Sequence, residues 1–94
     1  MPVTQAHIDK AIELAQRYGA TRLVLFGSAL EAPEEARDLD LACDIPGLDL
    51  LAFAGRLEEA LQIPVDVIPL TPRTPFVEAI ERRGKVLYEA VETS

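Results

Sequence analysis

The chain has 94 residues, 49% of them hydrophobic and 5% aromatic, with a formal net charge of −7. That length supports one domain, 1–94, around one modest core, and no apolar run approaches the roughly 18 residues of a membrane-crossing helix. The acidic balance argues against non-specific nucleic-acid binding, which depends on Lys and Arg neutralising phosphates, and a single cysteine, Cys43, rules out a disulfide framework.

The first residues, Met1-Pro2-Val3-Thr4-Gln5, lack the charged and apolar regions of a signal peptide, so the expected location is the cytoplasm. Thr4 is a helix cap, and Ile8, Ala11, Ile12, Ala15 and Tyr18 recur at helical spacing up to a left-handed stop at Gly19. His7, near the start of this helix, reads as a surface or capping residue. A first strand covers about Arg22–Phe26 and ends abruptly at Gly27-Ser28. At most one helical turn follows before the exposed loop Ala32-Pro33-Glu34-Glu35. In the second strand, at 39–43, Leu39, Leu41 and Cys43 alternate with Asp40 and Ala42, the period of a strand with one wet and one buried face.

Ile45-Pro46-Gly47 breaks that strand. Asp49 caps a helix whose apolar stripe is Leu50, Phe53, Ala54, Leu57 and Leu61. A third strand lies within 63–70, where Pro64 and Pro69 confine hydrogen bonding to the middle and suggest an edge. Strand, helix and strand make a β-α-β unit with parallel strands and a right-handed crossover. Thr74-Pro75 opens a last helix with Phe76, Val77 and Ile80 as its apolar face and Gly84 as its end. Lys85-Val86-Leu87-Tyr88-Glu89 closes the domain as a short extended piece or final turn, and the tail after about Ala90 is expected to fray. The predicted class is α+β: a small mixed sheet, its first two strands antiparallel, with helices mainly on one face and the carboxylates on the open one.

Asp38 and Asp40, at i and i+2 of a strand, project from the same face. Asp66, flanked by Val65 and Val67, joins them if the third strand lies beside the second. Three converging carboxylates need cations to coexist, and two magnesium ions, their shells completed by substrate phosphates, suit them. The glycine-serine turn leaves backbone N–H groups beside the pair for a polyphosphate. Asp44, Asp49 and the cluster of Glu31, Glu34 and Glu35 read as solvated loops or caps. Tyr18 and Tyr88 read as core-edge residues.

Gly27-Ser28, a nine-residue spacer, Asp38-Leu39-Asp40 and the later Asp66 together resemble the DNA polymerase beta-type nucleotidyltransferase superfamily, and more narrowly its minimal members. The resemblance runs from the leading helix to Ile80, Gly84 and Leu87-Tyr88-Glu89. It implies the nucleotidyltransferase fold, with Gly27 and Ser28 holding a nucleoside triphosphate, Asp38 and Asp40 on both metals, and Asp66 on one metal near the attacking hydroxyl. It also implies a separate helical HEPN-type partner, which the chain would neutralise as antitoxin by transferring AMP from ATP to a hydroxyl. Two positions depart from the pattern. Ala29-Leu30-Glu31 follows Gly-Ser where a basic residue is usual, and Arg37 precedes the first aspartate in place of serine, which makes Arg37 a candidate nucleotide-binding cation. The alternative is a catalytically silent module that neutralises its partner by contact alone.

Overall fold

A computed structural model describes residues 2–46 and 49–90 of the chain. Gly47, in the predicted strand break, and the tail beyond Ala90 lie outside the described residues. The elements follow in the order α1 (Gln5–Arg17), β1 (Arg22–Phe26), α2 (Ser28–Glu31), β2 (Leu39–Asp44), α3 (Leu50–Leu61), β3 (Val65–Pro69), α4 (Pro75–Arg83) and β4 (Lys85–Glu89).

The local signals that start and stop the helices operate as their chemistry requires. The Thr4 hydroxyl accepts from the His7 N–H, and the His7 ring accepts from the Thr4 N–H at 3.0 Å, so His7 serves as the reciprocal half of a capping box. Asp49 accepts from the Leu51 N–H at 2.9 Å at the head of α3. Thr74 accepts from the Val77 N–H at 3.1 Å at the head of α4, with Pro75 in the first turn.

The sheet order is β3-β2-β1-β4. β1 runs antiparallel to both β2 and β4, while β2 and β3 are parallel. The two prolines of the third strand therefore sit on an edge. The final extended piece is a true strand, β4, on the opposite edge, with a register irregularity against β1 between Leu23 and Val24.

Side-chain parity divides the interior into two cores. Leu23, Leu25, Leu39, Leu41, Cys43 and Val65 face α1 and α3, where they meet Ala11, Leu14, Phe53, Leu57 and Leu61. Tyr18 and Phe53 join α1 to α3 edge to face, with ring centroids 5.9 Å apart. On the other face Val24 and Ala42 pack with Leu70 and with Val77 and Ile80 of α4. Helices thus lie mainly on one face, as expected, but the carboxylate face is not fully open, because α4 covers part of it.

The reason is topological. The β2-α3-β3 crossover steps outward along the sheet, whereas β3-α4-β4 steps back across β2 and β1. Right-handed crossovers taken in opposite directions place their helices on opposite faces. Among the described residues no helix is long and apolar enough to cross a membrane.

Candidate active site

The site is assembled at one end of the sheet, where β1 finishes and β2 and β3 begin. Asp40 pairs with Phe26 across the antiparallel ladder and with Asp66 across the parallel one. Both aspartates occupy the parity opposite Leu39, Leu41 and Val65, so they share the α4 face of the sheet. Asp38, exposed and just before the strand begins, is close enough for its charge to act on Asp40. β2 lies beside β3 with Asp40 level with Asp66, which is the condition for Asp66 to join the pair.

Gly27 closes on this pair. Its backbone, at φ 76° and ψ −154°, lies in a region that side-chain-bearing residues rarely adopt. A Cβ there would meet the Asp40 carboxylate and lie 3.2 Å from both its Cβ and its Cγ. The glycine thus lets the β1–α2 turn pass directly over Asp40. Ser28, exposed, opens the single turn of α2, and no side chain caps its amides.

Electrostatically the three carboxylates stand alone. None of them makes an ion pair among the described residues, where the cationic partners go instead to Glu13, Glu89 and Glu81. Burial raises the pKa of Asp40 above the ordinary carboxylate value, and the charges of Asp66 and Asp38 raise it further. Such a site gains from any cation it binds.

Two features that orient the site carry no motif. Glu58, on α3, accepts from the Val65 N–H at 3.0 Å, and the Leu39 N–H donates to the Pro64 carbonyl at 3.0 Å. Together they tie the start of β3, and hence Asp66, to α3 and β2. An exposed helical glutamate has no sequence signal that marks it for this task.

No family model and no curated protein matches the sequence. Solved structures do. A chain proposed to be a minimal nucleotidyltransferase is 30% identical over 86% of this chain and 89% of its own, with a TM-score of 0.69. The chain belongs to the minimal nucleotidyltransferase family.

A second similar structure, 25% identical with a TM-score of 0.69, covers 92% of this chain and 72% of its own. It comes from a complex of a tri-AMPylated HEPN toxin of Shewanella oneidensis with MNT antitoxin. A toxin–antitoxin structure with AMP-PNP shares the fold at 24% identity and a TM-score of 0.73, over 88% of this chain and 73% of its own. In this nucleotidyltransferase Arg37 is placed apart from the carboxylates. It is exposed and lines one groove with His7, Leu61, Gln62, Ile63 and Pro64, and another with Pro2, Glu34 and Glu35. Gly27, Asp40 and Asp66 are brought to one end of one face, with Asp38 just ahead of the strand there, and Arg37 turns toward the α1–α3 side.

Proposed function

We propose that the chain transfers AMP from ATP to a hydroxyl of a separate HEPN-type protein, with magnesium, as the antitoxin of a toxin–antitoxin pair. The observation that carries this reading is the register of Asp40 with Asp66 on neighbouring strands beneath the Gly27 turn. The modified toxin in the Shewanella oneidensis complex supports the choice of AMP and of acceptor.

The residues fit magnesium. All three are hard oxygen donors with no protein cation beside them, and Asp40 is half-buried among like charges. Among the described residues no group of three or more His, Cys, Asp or Glu side chains stands ready to hold a metal ion, so an ion here would take the rest of its shell from water and substrate phosphates. Asp38 and Asp40 would hold both ions and Asp66 one. When bound, magnesium supplies neutralisation of the leaving pyrophosphate and activation of the attacking oxygen.

The chain's own residues do the rest. The Gly27-Ser28 turn cradles the phosphates through backbone amides. Exposed Asp66 meets the incoming hydroxyl and accepts its proton as the new bond to the α-phosphorus forms and the bond to pyrophosphate breaks. The acceptor hydroxyl is presented from outside the sheet, where Asp66 is exposed.

The part of the chain read as a partner face is smaller than its sequence suggested. Val77 and Ile80 are buried in the second core, and Leu87 and Tyr88 are half-buried against the first. Phe76, 61% exposed at the head of α4, remains available for a partner.

The test has two parts. Calorimetry with ATP and magnesium should show binding by the wild type and none by Asp40→Asn; equal heats from both would exclude the site. Mass spectrometry of the co-purified partner, after incubation with ATP and magnesium, should show added AMP. Neutralisation without added mass would make the chain a contact-only module.

A further inference from the structure

A triphosphate is a polyanion, and at this site it approaches three carboxylates. A fixed cation on the chain would offset that repulsion and orient the phosphate oxygens through charge-assisted hydrogen bonds. The turn does not provide one, since α2 reads Ser28-Ala29-Leu30-Glu31. Arg37 faces the His7 groove.

Besides Arg37, the end of the sheet that carries the site has Arg82, Arg83 and Lys85 close by, around the turn that ends α4. All three are exposed, and none is in an ion pair among the described residues. Gly84 locates them. A Cβ on Gly84 would lie 2.7 Å from Val24 Cγ1 and 2.8 Å from the Leu25 carbonyl oxygen. The end of α4 therefore rests on the last residues of β1, two positions before Gly27.

Parity and helical phase separate the three. Lys85 pairs with Leu25, whose side chain belongs to the α1–α3 core, so Lys85 projects from the face opposite the carboxylates. Arg82, with Glu78 and Glu81, lines a groove against Arg22 and Arg73, and Arg22 in turn meets Glu89 of β4. That flank of α4 looks toward β4 and the far end of the sheet. Arg83 is turned about 100° from Arg82. It follows Ala79 by four residues and Phe76 by seven, which puts it on the other flank. This flank looks toward β2 and β3, where half-buried Phe26 and Ile68 border the cluster and Asp40 and Asp66 stand beyond them.

We infer that Arg83 is a substrate-binding residue of this nucleotidyltransferase, contacting the β- and γ-phosphates of the nucleoside triphosphate from α4. The inference rests on the nucleotidyltransferase reading above. It assigns to the last helix a task that α2 and Arg37 leave unfilled. It also gives a reason for α4 to lie on the carboxylate face, since the helix carries a cation to the far side of the phosphates from Gly27.

The test is calorimetry on the 94-residue chain with magnesium, using ATP and inorganic tripolyphosphate as probes. Thermal melts establish that each variant is folded. Arg83→Gln should weaken both probes about tenfold, the size of one lost contact to a charged group, while Arg83→Lys recovers part of the loss. Arg82→Gln, equally close to the helix end, should bind as the wild type does. If Arg83→Gln binds ATP normally while Asp40→Asn does not, the inference is wrong and the site stands. It is equally wrong if Arg82→Gln and Arg83→Gln lose the same affinity, because the effect is then only the general charge at a helix terminus. A wild-type chain that binds neither probe overturns the nucleotidyltransferase reading and this inference with it.

Discussion

Gly27→Ala perturbs the point at which β1 meets the carboxylates. The backbone there has φ 76° and ψ −154°, and strain of that kind costs on the order of 1–3 kcal/mol when a Cβ is present. The new methyl also presses on Asp40, 3.2 Å from its Cβ and Cγ, so Asp40 must move. Together the expected loss is ~3 kcal/mol, a large share of the ~5–15 kcal/mol that holds a small domain together. At roughly 4–8 °C per kcal/mol, the melting temperature should fall by about 12–24 °C. Gly19→Ala is the internal reference. Gly19 also has a positive φ, 81°, but nothing lies within 4 Å of a Cβ built on it. It should pay only the backbone cost of about 1–2 kcal/mol. Thermal unfolding of the wild type, both alanine variants, Asp40→Ala and the Gly27→Ala/Asp40→Ala double variant completes a cycle. Removing Asp40 should return about 1 kcal/mol of the Gly27 penalty. Equal costs at positions 19 and 27, with no coupling to Asp40, would refute the claim that this glycine exists to admit the carboxylate.

Asp40→Asn should stabilise the fold by about 1 kcal/mol at pH 7 while abolishing ATP binding, because it relieves a like-charge pair on adjacent strands. The raised pKa of Asp40 disfavours its ionised form in the folded chain. The penalty is therefore present above the folded pKa and disappears as pH falls below the unfolded value. Denaturant curves at several pH values should show the gap between variant and wild type closing toward acid, and a gap that does not change with pH would contradict this. Burial, with Asp44 nearby, pushes the Cys43 thiol up to about 12, so alkylation at pH 8 should follow unfolding; rapid labelling of the native chain would place Cys43 outside the core. Phe53→Ala empties a fully buried ring position that joins α1 to α3. It should cost about 3–5 kcal/mol by chemical denaturation, and a loss under 1 kcal/mol would mean the core has been misread. Phe76→Ala should leave the melting temperature nearly unchanged, since the ring is 61% exposed, yet weaken recovery of the partner in co-purification about tenfold. Undiminished recovery would remove Phe76 from the interface.

What the sequence determined by itself was whatever depends on neighbours a few residues apart. Thr4, Asp49 and Thr74 cap their helices by bonding amides two or three positions on, so their signals are complete within a turn. The alternation of Leu39, Leu41 and Cys43 with Asp40 likewise carries its own phase, and Val65 and Val67 set the phase of Asp66. Given those phases and the β-α-β order, the shared face of Asp40 and Asp66 followed from parallel pairing alone. Tertiary structure decided everything that depends on which elements cross which. α4 covers the carboxylate face because its crossover reverses direction along the sheet, a property of strand order that periodicity within one helix does not contain. β4 becomes an edge strand only because β1 offers it an unpaired side. Val77 and Ile80, sticky in sequence, are satisfied internally by Val24 and Ala42, whereas Phe76 on the same helix is left exposed. Arg37 adjoins Asp38 in the chain yet lines the His7 groove, because the segment before β2 packs beside α1. Glu58 holds the start of β3 through a single bond to Val65 that no motif announces. Local chemistry chose the elements and the parity of each carboxylate. The long-range packing of α4, β4 and the chain before β2 determined which cations and which apolar residues stand near them.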